Sequence, residues 1–382
     1  MIHICAGDPS AWLHCYRGRR PMVACILSFT ETGLQPNISA AGHTVQSRQY
    51  TALADAEFLI NGARSRDLLR PGYGRMALAA GISPAVITRA VVSEQNILLQ
   101  LLSTGLPDRL TVPHVRLPQV IAKAVQTGQA MTMAQVKSLV HSGLRYGQYW
   151  GQRWGRKLGS QASYLVLGEC VVGGTTTAQA VLSALGYDVA GRMSSSQRVN
   201  NHLQKQALVE AGLAIWRSRN CQPSALQQQL FPLAAVAAVG DPMQAVAAGV
   251  AIAASRYGGI LLAGGSQMLA VYALAKALAH SKLFGRWRTD WCSEQVVVGT
   301  TRWVIEDKGA DTVAIAHAVG APYIASDINF SSSPYFQLRA YERGFVKEGV
   351  GAGGCAIAAY LYQNWTVDQL RHAVEAQLRL YL

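Results

Sequence analysis

Residues 164–183 combine features that strongly constrain how this chain can fold. An apolar run is followed by a glycine-rich turn and then by an apolar-periodic segment, in the order Tyr164–Leu167, Gly168, Glu169, Gly173, Gly174, Thr175, Thr176 and Thr177. This order predicts a strand, a tight turn and a helix. Glycines let a backbone approach a ligand closely, and the free N–H groups at a helix start favour anions. The segment therefore predicts a phosphate site beside a carboxylate, although an ordinary strand–helix connection has the same local pattern.

The alternation of strand and helix continues to residue 326. Strands are predicted at YLVL (164–167), PLAAVAAVG (232–240), GGILLAGG (258–265), EQVVVGT (294–300), DTVAIA (311–316) and PYIAS (322–326), and an earlier one at VACILSF (23–29). Continuous apolar strands separated by helices indicate a parallel sheet that is covered on both faces. We therefore expect an α/β fold. It would be a Rossmann-like, mostly parallel sheet with helices on both faces, plus a smaller part built from the N-terminal region and terminal helices.

Ligands bind such sheets at the carboxyl ends of the strands. Glu169, Asp241, Gly264 and Thr300 are expected to lie there. Asp241 is followed by Pro242 and, at the third helical position, by Gln244, a combination that starts helices well. Asp241 is therefore predicted to cap a helix, and it is also a candidate binding residue.

Composition narrows the class of protein. Half of the 382 residues are hydrophobic, 14% are charged, 36 are glycine, and the formal net charge is +13. This profile is typical of a folded α/β enzyme and not of a disordered or fibrous chain. Two basic stretches, 145–157 and 282–288, interleave cations with aromatic residues, as nucleic-acid surfaces do. No recognised nucleic-acid module accompanies them, so attraction for phosphorylated small molecules is the favoured interpretation.

Several patterns point to a cytoplasmic protein without metal or membrane. The seven cysteines are dispersed, without zinc-ligand spacing, which fits free thiols in a reducing compartment. Cys170, among apolar neighbours, is expected to be a packing residue and not a nucleophile. The first 20 residues lack a signal-peptide pattern. The uncharged stretch 257–275 is broken by glycines and polar residues, so buried strand–turn–helix units explain it better than a membrane span.

A second glycine cluster, EGVGAGG (348–354), precedes an apolar helical stretch. Its first residue, Glu348, is a carboxylate at a helix start and could be a simple cap. In a tight pocket it could also act as a general base, because partial desolvation would raise its pKa toward a useful range.

Three groups of motifs in this order carry a family resemblance. They are GECVVGGTTTA (168–178), VGDPMQAVAAGVAIAA (239–254) with LLAGGSQMLAVYALA (261–275), and FSSS (330–333) with KEGVGAGGCAIAA (347–359). With them the chain resembles the nicotinate-nucleotide–dimethylbenzimidazole phosphoribosyltransferase family, and more closely its divergent archaeal and cyanobacterial branch. The match to the wider family covers about residues 160–360. The segments FTETG (29–33), ISAAG (38–42) and YTALADAEFL (50–59) look typical of the divergent branch alone.

The resemblance implies an activity and a set of site residues. Members transfer ribose phosphate from nicotinate mononucleotide to a lower-ligand base in cobamide nucleotide-loop synthesis, and release nicotinate. By resemblance, Glu348 would take the proton from the attacking base, and Glu169 would stabilise positive charge on the ribose or assist proton transfer. The implied nucleotide and phosphate contacts are Gly173, Gly174, Thr175, Thr176, Asp241, Gly264, Gly265, Ser331, Ser332, Ser333, Gly349, Gly351 and Gly353. The resemblance also implies one functional unit over residues 1–382, a homodimer, small-molecule substrates, no cofactor and no metal.

Departures from the bacterial pattern leave the substrate open. Gly174 replaces an Asn, Lys347–Val350 replaces Gly-Glu-Gly-Thr, and Ala263–Gly265 replaces Asp-Gly-Phe. The acceptor could be dimethylbenzimidazole or another base such as adenine. Two alternatives are a different nucleotide-handling transferase or hydrolase, and a noncatalytic nucleotide-sensing protein. The retained Glu169 and Glu348 argue against the second alternative, since binding alone needs no proton acceptor.

Overall fold

A computed structural model describes residues 2–42, 44–62, 77–78, 81–155, 163–219, 229–281 and 291–381. The strands are β1 Ile2–Ala6, β2 Met22–Ser28, β3 Ala77–Leu78, β4 Gly81–Ile82, β5 Leu98–Thr104, β6 Val115–Arg116, β7 Tyr164–Cys170, β8 Gly259–Ala263, β9 Val296–Thr301 and β10 Tyr323–Ser326. The α-helices are α1 Ser10–Tyr16, α2 Thr51–Asn61, α3 Ala85–Glu94, α4 Met133–Trp150, α5 Gly174–Ala184, α6 His202–Ser218, α7 Phe231–Val239, α8 Pro242–Ala254, α9 Ser266–His280, α10 Arg302–Ile305, α11 Thr312–Val319, α12 Phe336–Glu342, α13 Ala352–Gln363 and α14 Val367–Tyr381.

Eight of these strands form one sheet in the order β1-β10-β9-β8-β7-β2-β5-β6. All neighbours pair in parallel except β1, which runs antiparallel to β10 at the edge. From β2 the chain adds strands in one direction, to β5 and β6. From β7 it adds them in the other, to β8, β9 and β10. The sheet therefore has a topological switch point between β2 and β7, where open α/β sheets bind ligands.

Helices cover both faces of the sheet, so the predicted α/β class is confirmed. Residues of β2, β7 and β8 alternate between two hydrophobic clusters, because successive side chains of a strand point to opposite faces. One cluster is built with α4, α5, α8 and α9, and the other with α2, α3, α13 and α14. All seven residues of β7 are buried, which explains why this strand is apolar throughout most of its length.

The strands predicted at 23–29, 164–167, 258–265, 294–300 and 322–326 are confirmed. The strands predicted at 232–240 and 311–316 are wrong, because these residues form α7 and α11. A short, continuously apolar run has no periodicity that separates a buried strand from a buried helix. The deciding signals were at the helix starts: Pro232 lies in the first turn of α7, and the Asp311 side chain accepts a hydrogen bond from the Ala314 N–H.

Asp241 consequently follows a helix, and the expectation that it ends a strand is also wrong. Its predicted capping role is confirmed: the side chain accepts from the Gln244 N–H at 3.1 Å, and the Gln244 side chain accepts from the Asp241 N–H at 3.4 Å. This reciprocal pair is a capping box at the start of α8.

Three glycines bring α4 and α8 into backbone contact. A Cβ atom on Gly143 would lie 2.2 Å from the Val246 carbonyl oxygen. One on Gly249 would lie 2.4 Å from the Val140 carbonyl oxygen, and one on Gly147 would lie 2.6 Å from the Val250 carbonyl oxygen. The two helices can therefore pack this closely only because these positions carry no side chain. This close contact fixes the position of α8 against the sheet.

In the residues that the structure describes, no helix is long and apolar enough to cross a membrane. The six cysteines outside position 221 carry free thiols. Cys221 and the basic stretch 282–288 lie outside the described residues.

In the other basic stretch, the Arg153 guanidinium lies 5.2 Å from the ring centre of Trp154 and 5.9 Å from that of Tyr149. The Arg153 cation thus contacts both aromatic rings.

We expect Gly143→Ala to destabilise the protein. A methyl group 2.2 Å from a carbonyl oxygen must push α4 and α8 apart. Overpacking of this kind costs about 1–3 kcal/mol, which exceeds the gain of roughly 1 kcal/mol in helix propensity. Urea unfolding monitored by circular dichroism measures the change. Ser142→Ala, at a partly exposed position of the same helix, is the control and should stay within about 0.5 kcal/mol of the parent. Equal stabilities for the two variants would contradict the close contact.

Candidate active site

A pocket with a cavity volume of about 100 Å³ opens at the switch point of the sheet. It is bounded by the segments that follow β2, β7 and β8 and by the loop before α13. Its lining includes Ser39, Ala41, Thr51, Asp55, Ser83, Pro84, Glu169–Thr175, Ser194–Ser196, Gly265–Gln267, Val304 and Val346–Val350.

Glu169 lies near the carboxyl end of β7 and is only 3% exposed. Its carboxylate accepts hydrogen bonds from the Val171 N–H at 3.1 Å and from the Gln267 side-chain amide at 2.9 Å. Burial, followed by the charges of Glu348 and Asp241, raises the pKa of Glu169 to about 8, although its hydrogen bonds lower it. Burial therefore favours the protonated form of Glu169.

Glu348 is half-buried and accepts four hydrogen bonds. One carboxylate oxygen accepts from the Thr300 hydroxyl at 2.9 Å and the Thr301 N–H at 3.0 Å. The other accepts from the Gly349 and Gly353 N–H groups, both at 3.1 Å. Burial raises the pKa of Glu348, and all four donors oppose that rise because they stabilise the charged form. The carboxylate is thus fixed in orientation and kept easier to ionise than burial alone would allow.

The glycine-rich turn leads directly into α5. Gly173 precedes the helix with φ +86°, and Gly174 and Thr175 line the pocket at its first turn. A Cβ atom on Gly174 would lie 1.8 Å from the Gln267 Oε1 atom. Gly174 therefore makes room for the glutamine that donates to Glu169. Thr176 is outside the pocket lining and is fully buried.

The other predicted glycines support the pocket more than they line it. Gly265 and Gly349 line it directly. Gly264 donates from its N–H to the Gly299 carbonyl at 2.8 Å, behind the pocket wall. A Cβ on Gly353 would lie 2.5 Å from a Glu348 carboxylate oxygen, and Gly351 precedes α13 with φ +77°.

Two of the predicted binding groups lie elsewhere. Asp241 is fully buried beneath the turn and accepts a hydrogen bond from the Thr177 hydroxyl at 2.5 Å; burial raises its pKa to about 6. Ser331, Ser332 and Ser333 are outside the pocket lining: the Ser332 hydroxyl accepts from Arg371 of α14, and the Ser333 hydroxyl accepts from the Tyr335 N–H. The structure thus brings together Glu169, Glu348 and the Gly173–Thr175 turn, but not the serines at 331–333.

A second run of three serines, Ser194–Ser196, lines the pocket instead. Beside it the Lys347 ammonium donates to the Ser195 carbonyl at 2.9 Å and pairs with Asp307 at 3.1 Å. Lys205 is completely buried nearby, and its ammonium has no hydrogen-bond partner among the described residues. Burial, followed by repulsion from Lys347, lowers the pKa of Lys205 to about 7, although attraction to Asp307 raises it. Asp307 thus attracts both ammonium groups, and burial makes Lys205 easier to deprotonate than an exposed lysine.

Asp55 of α2 is the third pocket carboxylate and was also missed from sequence. It is 3% exposed and accepts a hydrogen bond from the Cys170 thiol at 3.3 Å. Cys170 is buried, as predicted for a packing residue. The sequence signal for Asp55 was a single Asp inside the apolar helical run ALADAEFL. The signal for the cationic side of the pocket was the second serine triplet. In the described residues, no group of three or more acidic, His or Cys side chains could hold a metal ion.

The structure defines an α/β protein with a pocket at the switch point of its sheet, and comparison with known sequences places it in a family. The sequence model of a family described as phosphoribosyltransferase matches residues 89–284, about half of the chain. The chain belongs to this phosphoribosyltransferase family, and by overall identity to the UPF0284 proteins. A UPF0284 protein of Acaryochloris marina is 50% identical over 373 residues, which cover 97% of this chain and 95% of the relative. One of Trichodesmium erythraeum is 50% identical over 365 residues, covering 95% and 94%.

Two solved structures of proteins from Thermus thermophilus share the fold. One, described as CobT, superposes with a TM-score of 0.57 at 16% identity, covering 97% of this chain and 88% of that one. The other, described as nicotinate-nucleotide-dimethylbenzimidazole phosphoribosyltransferase, has a TM-score of 0.53 at 15% identity, covering 95% and 84%. The family recognised from the sequence motifs is therefore confirmed.

We expect Glu169→Gln to change how stability depends on pH. Folding raises the pKa of Glu169 from 4.5 to about 8, so the folded protein holds this proton more tightly than the unfolded chain. The stability gained in this way is fully present below pH 4.5 and is lost as pH rises to about 8. Glutamine does not titrate, so the melting temperature of the variant relative to the parent should rise between about pH 5 and 8, on the order of a few °C.

Differential scanning calorimetry at about pH 5, 6, 7 and 8 measures this difference. The control is Glu94→Gln, at the exposed end of α3, which should shift the melting temperature equally at each pH. Parallel curves for Glu169→Gln and the parent would show that Glu169 has no raised pKa.

Proposed function

We propose that this protein is a phosphoribosyltransferase of cobamide nucleotide-loop synthesis. It would move ribose phosphate from nicotinate mononucleotide to the nitrogen of a lower-ligand base, dimethylbenzimidazole or a similar heterocycle, and release nicotinate. The observation that carries the proposal is the pair of pocket glutamates, Glu169 and Glu348, beside a glycine-rich turn and Lys347. Membership of the phosphoribosyltransferase family supports the reaction class, and the description of one structure with the same fold supports the substrates.

Glu348 is suited to take the proton from the attacking base. Three of its donors are backbone N–H groups that cannot rotate, so they hold the carboxylate in place. The fourth is the Thr300 hydroxyl, which can turn and accept a hydrogen bond instead of donating one. The oxygen that faces Thr300 can therefore accept a proton without leaving a buried group unsatisfied. General-base assistance of this kind is worth roughly 10²–10⁴-fold in rate.

Glu169 is suited to respond to positive charge on the ribose. Transfer of a glycosyl group passes through an oxocarbenium-like state. A cationic sugar near Glu169 would favour its ionised form, because opposite charges lower the pKa of a carboxyl. The interaction would then be stronger with the cationic sugar of the transition state than with the uncharged ribose of the bound substrate, which is the condition for lowering the barrier.

The phosphate of the donor has a natural place at the cationic side of the pocket. The start of α5, where the helix dipole favours an anion, lines this side of the pocket together with Ser194–Ser196. An anion bound here would be a second partner for Lys347 and would favour the charged form of Lys205. We assign the phosphate to this side instead of to Ser331–Ser333.

We further propose that residues 1–382 work as one cytoplasmic unit, with the nucleotide-binding core at about 160–360, and that two copies form a homodimer. Support for one unit comes from the sheet and the pocket. Strands from both sides of residue 160 pair with each other, and residues from both sides line the pocket. The dimer and the location are expectations from the family resemblance and the sequence patterns.

The decisive test is chromatographic detection of nicotinate after mixing the protein, nicotinate mononucleotide and single bases, with a control that lacks a base. We expect base-dependent release, reduced at least about 100-fold in Glu348→Gln, because glutamine keeps the shape but accepts no proton. Nucleotide binding by calorimetry should survive in that variant. Release without any base would indicate a hydrolase, and full activity of Glu348→Gln would remove Glu348 as the base.

Lys205→Met should raise stability and lower nucleotide affinity. A buried ammonium without a partner costs about 1–3 kcal/mol, so methionine should increase the melting temperature of the ligand-free protein near neutral pH. The variant should lose at least about tenfold in affinity for nicotinate mononucleotide, because it lacks the ammonium that a bound phosphate would keep charged. Scanning calorimetry with and without nucleotide measures both effects. Lys137→Met, at an exposed position of α4, is the control, and unchanged affinity in Lys205→Met would move the phosphate elsewhere.

A further inference from the structure

Asp55 is a buried carboxylate for which the fold provides little compensation. It lies in the middle of α2, where it caps no helix end, and its side chain reaches the pocket. Its donors are two neutral groups, the Cys170 thiol and the Ser83 hydroxyl. Burial raises its pKa to about 6, which the two hydrogen bonds oppose. With two donors, the carboxyl group has lone pairs left to accept further hydrogen bonds.

Two arginines of the neighbouring described segments, Arg48 and Arg89, are used for other purposes. Within the described part of the chain, Asp55 forms no ion pair. Arg48, which precedes α2, donates to backbone carbonyls, including that of Gln35 at 2.9 Å. Arg89 of α3 donates to the carbonyls of Leu59 and Ile60. A buried carboxylate of this kind is costly unless something else donates to it, and a donor can come from the pocket, which Asp55 lines.

The surroundings of Asp55 lie on the Glu348 side of the pocket. Ser83, which donates to Asp55, is followed by Pro84, and Pro84 lies next to Gly349, where an added Cβ would be 3.8 Å from its Cγ atom. The Thr88 hydroxyl of α3 donates to the Val350 carbonyl at 2.8 Å. The segment that contains Ser83 and Thr88, and that donates to Asp55, is therefore bound to the loop that carries Glu348. An acceptor base that gives its proton to Glu348 must lie within this region.

From this juxtaposition we infer that Asp55 selects the acceptor base, and that it favours a heteroaromatic base with a polar hydrogen, such as an exocyclic amino group, at the ring edge away from Glu348. The inference rests on the proposed function for the identity of the site, and it adds the class of base. An amino N–H would donate to the free lone pairs of Asp55. A methyl group at the same place would desolvate the carboxylate and return no hydrogen bond.

The discrimination should be large, because sites that hydrogen-bond a substrate reject analogues that lack the donor. We expect 5-aminobenzimidazole to be preferred over 5-methylbenzimidazole by at least about tenfold, in kcat/KM for nicotinate release and in Kd by calorimetry. These two bases share one ring system and differ at one substituent. Asp55→Leu should reverse the preference, and Asp55→Asn, which keeps the size of the side chain, should reduce it.

The matched control is Glu57→Gln. Glu57 is a fully buried acid of the same helix, outside the pocket lining, and accepts a hydrogen bond from the Thr111 hydroxyl. This variant should keep the preference of the parent even if it is less stable. The Asp55 variants should also keep the affinity for nicotinate mononucleotide, since the cationic side of the pocket is unchanged.

The outcomes separate the inference from the proposed function. If nicotinate is released with both bases at equal kcat/KM, or if Asp55→Asn and Asp55→Leu leave the ratio unchanged, the role of Asp55 is overturned and the transferase stands. If no base gives release, the proposed function fails. Calorimetry then decides on Asp55 alone, because equal Kd values for the two bases would overturn its role and an Asp55-dependent difference would support it.

Discussion

The hydrogen bonds to Glu348 are the constraint around which the pocket is arranged. Its donors come from the end of β9, from its own loop and from the start of α13, so one carboxylate joins three segments of the chain. The same loop is bound to β7, where the Val350 N–H donates to the Glu169 carbonyl at 2.8 Å. The two glutamates therefore belong to one hydrogen-bonded framework, and moving one of them would move the other.

This framework holds backbone conformations that would not persist alone. Val346 and Val350 flank Glu348 with φ of +46° and +55°, a region that β-branched residues rarely adopt. Such residues cost on the order of 1–3 kcal/mol each and persist where their surroundings determine them. Here the Val346 N–H donates to the Ser196 carbonyl at 2.9 Å, and the Thr88 hydroxyl donates to the Val350 carbonyl. The cost of placing Glu348 is thus met by contacts across the pocket.

The sequence was informative where local chemistry decides the structure, and less so where long-range packing does. The β7–turn–α5 unit and the Asp241 cap could be predicted because glycine, threonine and Asp-Pro act within a few residues. The runs at 232–240 and 311–316 were misread because burial on all sides removes the periodicity that distinguishes helices from strands. The glycine loops marked the two glutamates, whereas the serine triplet at 331–333 and that at 194–196 look alike locally. Which one meets the pocket depends on the fold, and Asp55 is hidden in an apolar helix for the same reason.

The two sides of the pocket come from different parts of the chain, which meet at the switch point of the sheet. Asp55, Ser83 and Pro84 come from the first quarter of the chain, whereas Glu169, the Gly173–Thr175 turn and Ser194–Ser196 come from beyond residue 163. Under the assignments made above, the groups that choose the acceptor and those that hold the donor are encoded in different stretches of the gene. Substitutions or recombination in the first stretch can therefore change which base is accepted, while the parts that bind the nucleotide are inherited intact.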